Sequence, residues 1–421
     1  MDIEYIKRII IDQKDEIEDT FAKRTIIQRE ISREELIKFL EHPNILAILG
    51  IRRCGKSILS HLLLRGHDYG FINFDDERIS GIDAKDLNII LQAFYELYGT
   101  ELEYFILDEI QNVPGWELFA NRLRRTKKVI VTGSNAKLLS GELATHLTGR
   151  YADVILYPFS FREFLNFKNL KTDIYSTKGI AELKVTLKEY IKIGGFPEAH
   201  LFGREMTSRI YSDIIYKDVI VRHGIRNQKT FSELSNYLVS NFSREITYSK
   251  LKNITDIKNV HTIKNYTGYL ESSYLLIFIK KFSFKLKEQM MAPKKVYCID
   301  TGMIYSIAFK FSEDTGRLME NLVAVELERR RSQSGLPEIF YWKDYQQREV
   351  DFVLKEGENI IELIQVSYAS EKNDIEEREM KSLKKASLEL RCKKLTLITW
   401  DFEGEIEDIK CVPLWKWLVI R

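Results

Sequence analysis

The chain has few of the residues that build metal or disulfide frameworks. It holds four cysteines (Cys54, Cys298, Cys392, Cys411), none in a C-x-x-C pair, and only seven histidines in 421 residues. A structural zinc site or a disulfide scaffold is therefore not expected, and the scarcity favours a reducing, cytoplasmic setting. No apolar run approaches the ~18 residues needed to span a bilayer. The opening stretch MDIEYIKRIIIDQKDEIEDT is charged throughout, unlike a signal peptide, so no membrane association is expected. Charge of one sign is missing too: 64 basic residues stand against 62 acidic ones, a net +2 that names no partner by itself. Seven prolines leave the domain boundaries soft, and neither an internal repeat nor a low-complexity linker is present.

What remains is the composition of a folded protein, 44% hydrophobic and 30% charged, in a chain long enough for about two to four domains. From residue 44 to 158 short apolar runs alternate with amphipathic stretches: NILAIL, YGFINF, EYFILD, KKVIVTG and ADVILYP. Buried strands alternating with helices predict an α/β fold with a parallel, doubly wound sheet. Residues 160–235 lose that rhythm and read as helical around GGFPEA (194–199). Helical pieces and two β-like runs follow to 310, and the remainder reads helix, strand, strand, helix, strand.

GIRRCGKS (50–57) fits G-x-x-x-x-G-K-[ST] between an apolar strand and an amphipathic stretch. This context lets a loop present successive backbone N–H groups to a phosphate. The loop Gly50, Ile51, Arg52, Arg53, Cys54, Gly55, Lys56, Ser57 and the following Ile58 are thus the nucleotide-binding candidates. Lys56 would reach the β- and γ-phosphates and Ser57 would ligate Mg²⁺, making ATP and Mg²⁺ the expected cofactors. In YFILDEIQ (104–111), Asp108 at the end of an apolar run would hold Mg²⁺ through a water, and Glu109 would orient the attacking water. KKVIVTG ends in SNA, where Ser134 or Asn135 would contact the γ-phosphate. That arrangement belongs to ATPases with an extra strand between the loop strand and the Asp strand. Arg150 in LTGRY is either an arginine finger or sensor or a surface arginine.

The combination of GIRRCGKS, INFDDERI (72–79), LDEIQNVPGW (107–116), VTGSNAKLLSGELATHLTGRY (131–151), YPFSFREF (157–164) and GGFPEA resembles an AAA-type ATPase family, widespread in archaea and also found in bacteria. The resemblance covers most of residues 40–200. It implies a P-loop core with an N-terminal extension (1–165), a helical region (166–235), a winged-helix module (236–310) and a C-terminal α/β domain similar to PD-(D/E)XK nucleases (311–421).

Two further stretches bear on these expectations. Between Arg244 and Lys295 eleven basic residues face four acidic ones, a local +7 that leaves the rest of the chain acidic. NVHTIKNYTGYLESSYLLIFI reads as a helix, with Thr262, Asn265, Tyr266 and Tyr269 interspersed, that leads into a strand, and KKFSFKLKEQMMAPKKVYCID then reads as a basic β-hairpin. On the winged-helix plan the helix enters a groove and the wing follows phosphates. Lys264 and the wing residues Lys280, Lys281, Lys285 and Lys287 are therefore the DNA-binding candidates.

EVDFVLKEGENIIELIQV (349–366) resembles the metal-binding hairpin of PD-(D/E)XK nucleases, with Glu320 as the helix acid, Glu326 as a second choice, and Asp351 as the strand acid. The second strand offers either Glu362 or Gln365, which face opposite ways on a strand. In neither register does a lysine follow two residues later, because Ile364 or Ser367 stands there. Lys381, Lys384 or Lys385 from the next helix would have to supply it. The expectation is a nuclease-like domain impaired in cleavage. An ATPase acting on DNA is thus the leading reading. An ATP-gated scaffold without DNA and an active Mg²⁺-dependent nuclease governed by ATP are the rivals, and a homo-oligomer follows if Arg150 acts on a neighbour's nucleotide.

Overall fold

The computed structural model describes residues 2–139, 149–308 and 314–420. Residues 140–148 of the VTGSNAKLLSGELATHLTGRY stretch and the expected boundary at 310/311 lie outside them. The chain divides into two compact units, Met1–Tyr157 and Pro158–Arg421. Among the described residues no helix is long and apolar enough to cross a membrane.

The first unit is built on five parallel strands: β1 (Ile45–Gly50), β2 (Tyr69–Asn73), β3 (Tyr104–Asp108), β4 (Lys128–Gly133) and β5 (Tyr151–Leu156). They coincide with the five apolar runs. Their order is β2-β3-β4-β1-β5, which places β4 between the loop strand and the Asp strand, as expected for an ATPase with the extra strand. All six residues of β1 are buried, because a central parallel strand is covered on both faces. The outer edge of β2 is closed by a side chain: Gln13 of the helix Ile3–Lys23 accepts the Asn73 N–H at 2.8 Å and donates to the Asn73 carbonyl at 3.1 Å. A glutamine amide thereby does locally what a further strand would do. The parallel register brings Gly50, Asp108 and Gly133 to the same, C-terminal edge of the sheet.

The second unit begins with helices. Ser160 and Glu163 form a capping box that starts the helix Phe161–Phe167. Gly194 and Gly195 of GGFPEA turn against Asp300, whose carboxylate accepts the Gly195 N–H at 2.6 Å. A Cβ on either glycine would collide with Asp300 or with the Phe159 carbonyl. A π-helical stretch, Ile214–Val221, precedes the helix Gln228–Ser240.

The rest of this unit is organised by nine strands: β6 (Arg244–Ile246), β7 (Leu276–Lys281), β8 (Lys294–Cys298), β9 (Glu338–Lys343), β10 (Glu349–Glu356), β11 (Asn359–Val366), β12 (Leu395–Thr399), β13 (Gly404–Ile406) and β14 (Ile409–Pro413). They form one sheet in the order β13-β14-β12-β11-β10-β9-β7-β8-β6. Two helices, Tyr248–Ile254 and Val260–Ser272, lie in sequence between β6 and β7. β7 and β8 pair antiparallel, but their connection is a short helix, Leu286–Met291, rather than a simple wing. Strand β7 also pairs in parallel with β9 (Lys280 with Phe340, Lys281 with Tyr341), so the sheet continues on both sides of residue 310.

Candidate functional site

Every residue of the expected nucleotide loop lies at the C-terminal end of β1. Gly50 has φ +145° and a Cβ there would run into the Leu156 carbonyl; Gly55 has φ +101° and precedes the helix Lys56–Leu63. Glycine is the residue for both positions. Lys56 is buried and its Nζ donates to the Ile51 carbonyl at 3.2 Å. Ser57 donates its hydroxyl to Asp108, with Oγ 2.8 Å from Oδ2. The Thr132 hydroxyl of β4 donates to Asp108 Oδ1 at 2.5 Å and accepts the Glu109 N–H at 3.0 Å. Glu109 sits in the left-handed region (φ +52°), which turns its side chain back toward Lys56, 3.3 Å away. Gln111 donates to the other Glu109 oxygen at 2.5 Å. Ser134 and Asn135 are buried at the end of β4, on the same edge.

Electrostatics separate the two carboxyls. Burial and the charge of Glu109 push Asp108 up, against the hydroxyls of Thr132 and Ser57. Burial pushes Glu109 up as well, but the charges of Lys56 and Arg52 and the Gln111 hydrogen bond outweigh it and hold Glu109 well below the usual range. Glu109 is thus an ionised acceptor at neutral pH, beside a lysine.

Sequence reasoning missed Arg29, which lies before the helix Arg33–Glu41 and is buried. Its guanidinium donates to the Cys54 carbonyl inside the loop at 2.8 Å and to the Tyr157 carbonyl at 2.6 Å. Arg52 pairs with Asp75 at 2.9 Å, which gives the acidic INFDDERI stretch a contact with the loop. No local motif marks an arginine 25 residues upstream of its acceptor.

Arg150 is not brought to this site. It is exposed and directly precedes β5, whose first residue pairs with Ile45 at the start of β1. The loop follows the other end of β1, about 17 Å away at ~3.3 Å per strand residue. A sensor role on its own chain's nucleotide is therefore excluded by the strand direction.

A hydroxyl and a carboxylate side by side, with a buried lysine and a glycine-shaped loop, form a donor set that fits a nucleotide with its Mg²⁺. This is the site of a P-loop ATPase. The sequence matches a family described as an AAA domain over residues 42–165, and two domains of unknown function over 184–314 and 315–417. An uncharacterised protein of Methanocaldococcus jannaschii is 37% identical across 97% of this chain and 96% of its own length. One from Haemophilus influenzae is 29% identical across 94% and 99%. Among solved structures, a Walker-type ATPase of Pyrococcus abyssi is similar at 17% identity and a TM-score of 0.42, over 68% of this chain and 98% of that one. The chain belongs to the same family as the Methanocaldococcus relative, and its own AAA domain makes it a P-loop ATPase family member.

The second unit holds a separate polar pocket of about 760 Å³, lined in part by Glu320, Glu349, Asp351, Gln365, Ser367 and Glu379. Here β10 and β11 run antiparallel, with Phe352 opposite Ile364. Asp351 Oδ2 accepts the Val366 N–H at 3.0 Å, and Gln365 Oε1 lies 3.3 Å from the Asp351 N–H. Glu362 is elsewhere, bonded to Thr396 at 2.6 Å and Lys394 at 2.7 Å. Gln365, not Glu362, therefore shares the pocket with Asp351. Glu320 is the helix acid there, whereas Glu326 pairs with Arg329 and Arg330.

None of the lysines expected from the following helix, Lys381, Lys384 or Lys385, lines this pocket; Lys381 pairs with Glu377 and Lys384 with Glu407. The lysine that stands there is Lys295 of β8. Lys295, fully buried and counted from sequence among the basic middle residues, places Nζ 2.8 Å from Glu320, 2.9 Å from Asp351 and 2.5 Å from Glu349. Burial opposes its charge, but the charges of Asp351 and Glu320 dominate and hold Lys295 well above its ordinary value. Burial and the charge of Asp351 push Glu320 up, against Lys295 and the Tyr297 hydroxyl.

The DNA-binding candidates are spread over three elements. Lys264 is exposed on the helix Val260–Ser272, and Lys280 and Lys281 end β7. Lys285 and Lys287 lie at and inside the short helix Leu286–Met291, a correction to the strand positions expected of a wing. Tyr269 stacks on His223 with ring centroids 3.8 Å apart, and Tyr266 packs edge-on against Phe231. These two rings are engaged within the fold.

Proposed function

We propose that this chain is an ATPase that acts on DNA, with Lys56, Ser57, Asp108 and Glu109 as its nucleotide machinery and the lysines around β7 as its DNA contact. The observation that carries the ATPase part is the meeting of Ser57 with Asp108, and of Lys56 with Glu109, at one strand edge. The loop N–H groups of residues 50–58 would hold the phosphates of ATP. Ser57 would bind Mg²⁺ directly and Asp108 through a water, and the ion would neutralise charge on the phosphates. An arriving γ-phosphate would take Lys56 from Glu109. Glu109 would then hold the attacking water and accept its proton as the water oxygen bonds to the γ-phosphorus and the bond to the β-phosphate oxygen breaks, releasing ADP and inorganic phosphate. Asn135, or Ser134 beside it, would face the γ-phosphate from β4. Arg150, remote from its own chain's loop, would act only on a neighbouring copy.

For the second unit we favour a winged-helix module at 236–310 and a nuclease-like domain at 311–421, following the helical region 166–235. The helices Gln228–Ser240, Tyr248–Ile254 and Val260–Ser272, with the antiparallel β6, β8 and β7, support the first. The Glu320–Asp351–Gln365 pocket on a strand pair supports the second. Lys280, Lys281, Lys285 and Lys287 cluster around the β7–β8 connection and support a phosphate contact. The same connection exposes Phe284, Leu286, Met290 and Met291, each at least 68% accessible. That apolar tip favours a second reading, in which it meets a protein partner.

The test is ATP turnover by the wild type and by Lys56→Ala, with single-stranded, duplex and four-way-junction DNA, in Mg²⁺. Turnover that rises with one DNA form and disappears in the variant is the expected result. Turnover indifferent to every DNA would transfer the tip to a protein partner.

A further inference from the structure

The pocket beside β10 already contains a cation, and the chain supplies it. An ammonium carries three N–H donors. Lys295 has three carboxylate partners within hydrogen-bond distance: Glu349 at 2.5 Å, Glu320 at 2.8 Å and Asp351 at 2.9 Å. Glu320 comes from the helix Thr315–Ser334, while Glu349 and Asp351 alternate on β10, so two separate elements converge on one buried nitrogen. The Tyr297 hydroxyl, on the same strand as Lys295, also donates to Glu320 at 2.7 Å.

A nuclease-type metal site does not fit this arrangement. Among the described residues no group of three or more His, Cys, Asp or Glu side chains is placed to hold a metal ion. Mg²⁺ requires oxygens at about 2.0–2.1 Å in octahedral geometry. The carboxylates that would provide them are turned onto Lys295. A divalent ion among them would also stand within about 3–4 Å of the ammonium, where like charges in a buried site repel strongly.

We propose that Lys295 is the resident cation of this pocket, a tethered ammonium in the place a metal holds in nuclease-like folds. The carboxylates then need no metal for their charge balance, and taking the ammonium away exposes a latent divalent-cation site. This inference stands apart from the ATPase reading, because the two pockets lie in different units and share no residue.

The experiment is Mn²⁺ titration of the full chain without nucleotide, followed by electron paramagnetic resonance of the free ion and by melting temperature. The proteins are the wild type, Asp351→Asn, Lys295→Ala and the Lys295→Ala/Asp351→Asn double variant. The wild type and Asp351→Asn should bind Mn²⁺ alike. Lys295→Ala should gain a site ~10-fold or more tighter than any in the wild type, raise its melting temperature with Mn²⁺, and lose both in the double variant. If Lys295→Ala folds only when Mn²⁺ is present, the proposal is upheld, since the ion then replaces the ammonium. Two results would overturn it: Mn²⁺ binding by the wild type that Asp351→Asn abolishes, or a folded Lys295→Ala with no new site. Should Lys295→Ala not fold under any condition, the comparison of wild type with Asp351→Asn decides alone.

Discussion

Arg29 donates to the carbonyl oxygen of Cys54 at 2.8 Å, from a position 25 residues earlier in the chain. Its other terminal nitrogen is fixed to Tyr157 at 2.6 Å, so the phosphate loop is held from beneath by a buried cation. Hydrogen bonds of this charged kind contribute about 1.5–3 kcal/mol. Arg29→Ala should therefore weaken ATP binding about tenfold through a loosened loop and lower the melting temperature. Fluorescent-nucleotide titration checks the first and calorimetry the second. Unchanged affinity would reduce Arg29 to a packing role.

Glu109→Gln should separate binding from hydrolysis. The substitution keeps the side chain's size and removes the charge that faces Lys56. Turnover should fall by about 10²-fold or more, the usual worth of a positioned base. ATP affinity should hold or rise, because one negative charge near the phosphates is gone. Stopped turnover with retained nucleotide is the signature in a filter-binding assay.

Arg150→Ala should leave ATP affinity unchanged, since Arg150 stands at the far end of β5 from its own loop. If copies assemble around the nucleotide, its turnover should drop, and mixing it with Lys56→Ala should restore part of the activity. One partner then supplies an intact loop and the other an intact arginine. Turnover of Arg150→Ala equal to wild type at every protein concentration would remove it from the mechanism.

The histidines set an acid limit. Burial pushes His61 down to about 4 from 6.5, with its ring against Phe71 and Nδ1 2.9 Å from the Tyr69 hydroxyl. The unfolded chain takes up this proton near pH 6.5 and the folded chain only near 4. Stability is therefore fully present above pH 6.5 and falls as the pH drops, by about 2 kcal/mol between pH 6.5 and 5. His61→Phe should flatten this slope in urea denaturation. His200, lowered to about 4 by burial, gives a slope of the same sign to the second unit.

The legible parts of the fold were those written locally. Five apolar runs became five parallel strands, and GIRRCGKS and YFILDEIQ fold as a loop and a strand end that meet at one sheet edge, because a loop and the strand it closes lie within a few residues of each other. Arg29 and Lys295 were illegible for the opposite reason. Lys295 meets Asp351 across 56 positions of sequence, and a lysine next to Lys294 in a basic stretch reads as solvent-facing until β8 is seen to turn it inward. Alternation along β11 correctly separated Glu362 from Gln365, but only the pairing with β10 shows which of them joins Asp351. GGFPEA carried the family likeness, and its glycines are accounted for by their fit against Asp300 and Phe159.

The parallel pairing of β7 with β9 bears on how this half of the molecule can be inherited. The two matched regions of unknown function meet at residues 314 and 315, yet their strands share one sheet, with Phe282 donating to the Tyr341 carbonyl at 2.6 Å. Lys295 belongs to the first region and its three counter-charges, Glu320, Glu349 and Asp351, to the second. A recombination event at that junction would uncover two raw strand edges and strand buried charge on each side. A chimera that replaces one region must therefore carry a lysine, or acids, to match the other.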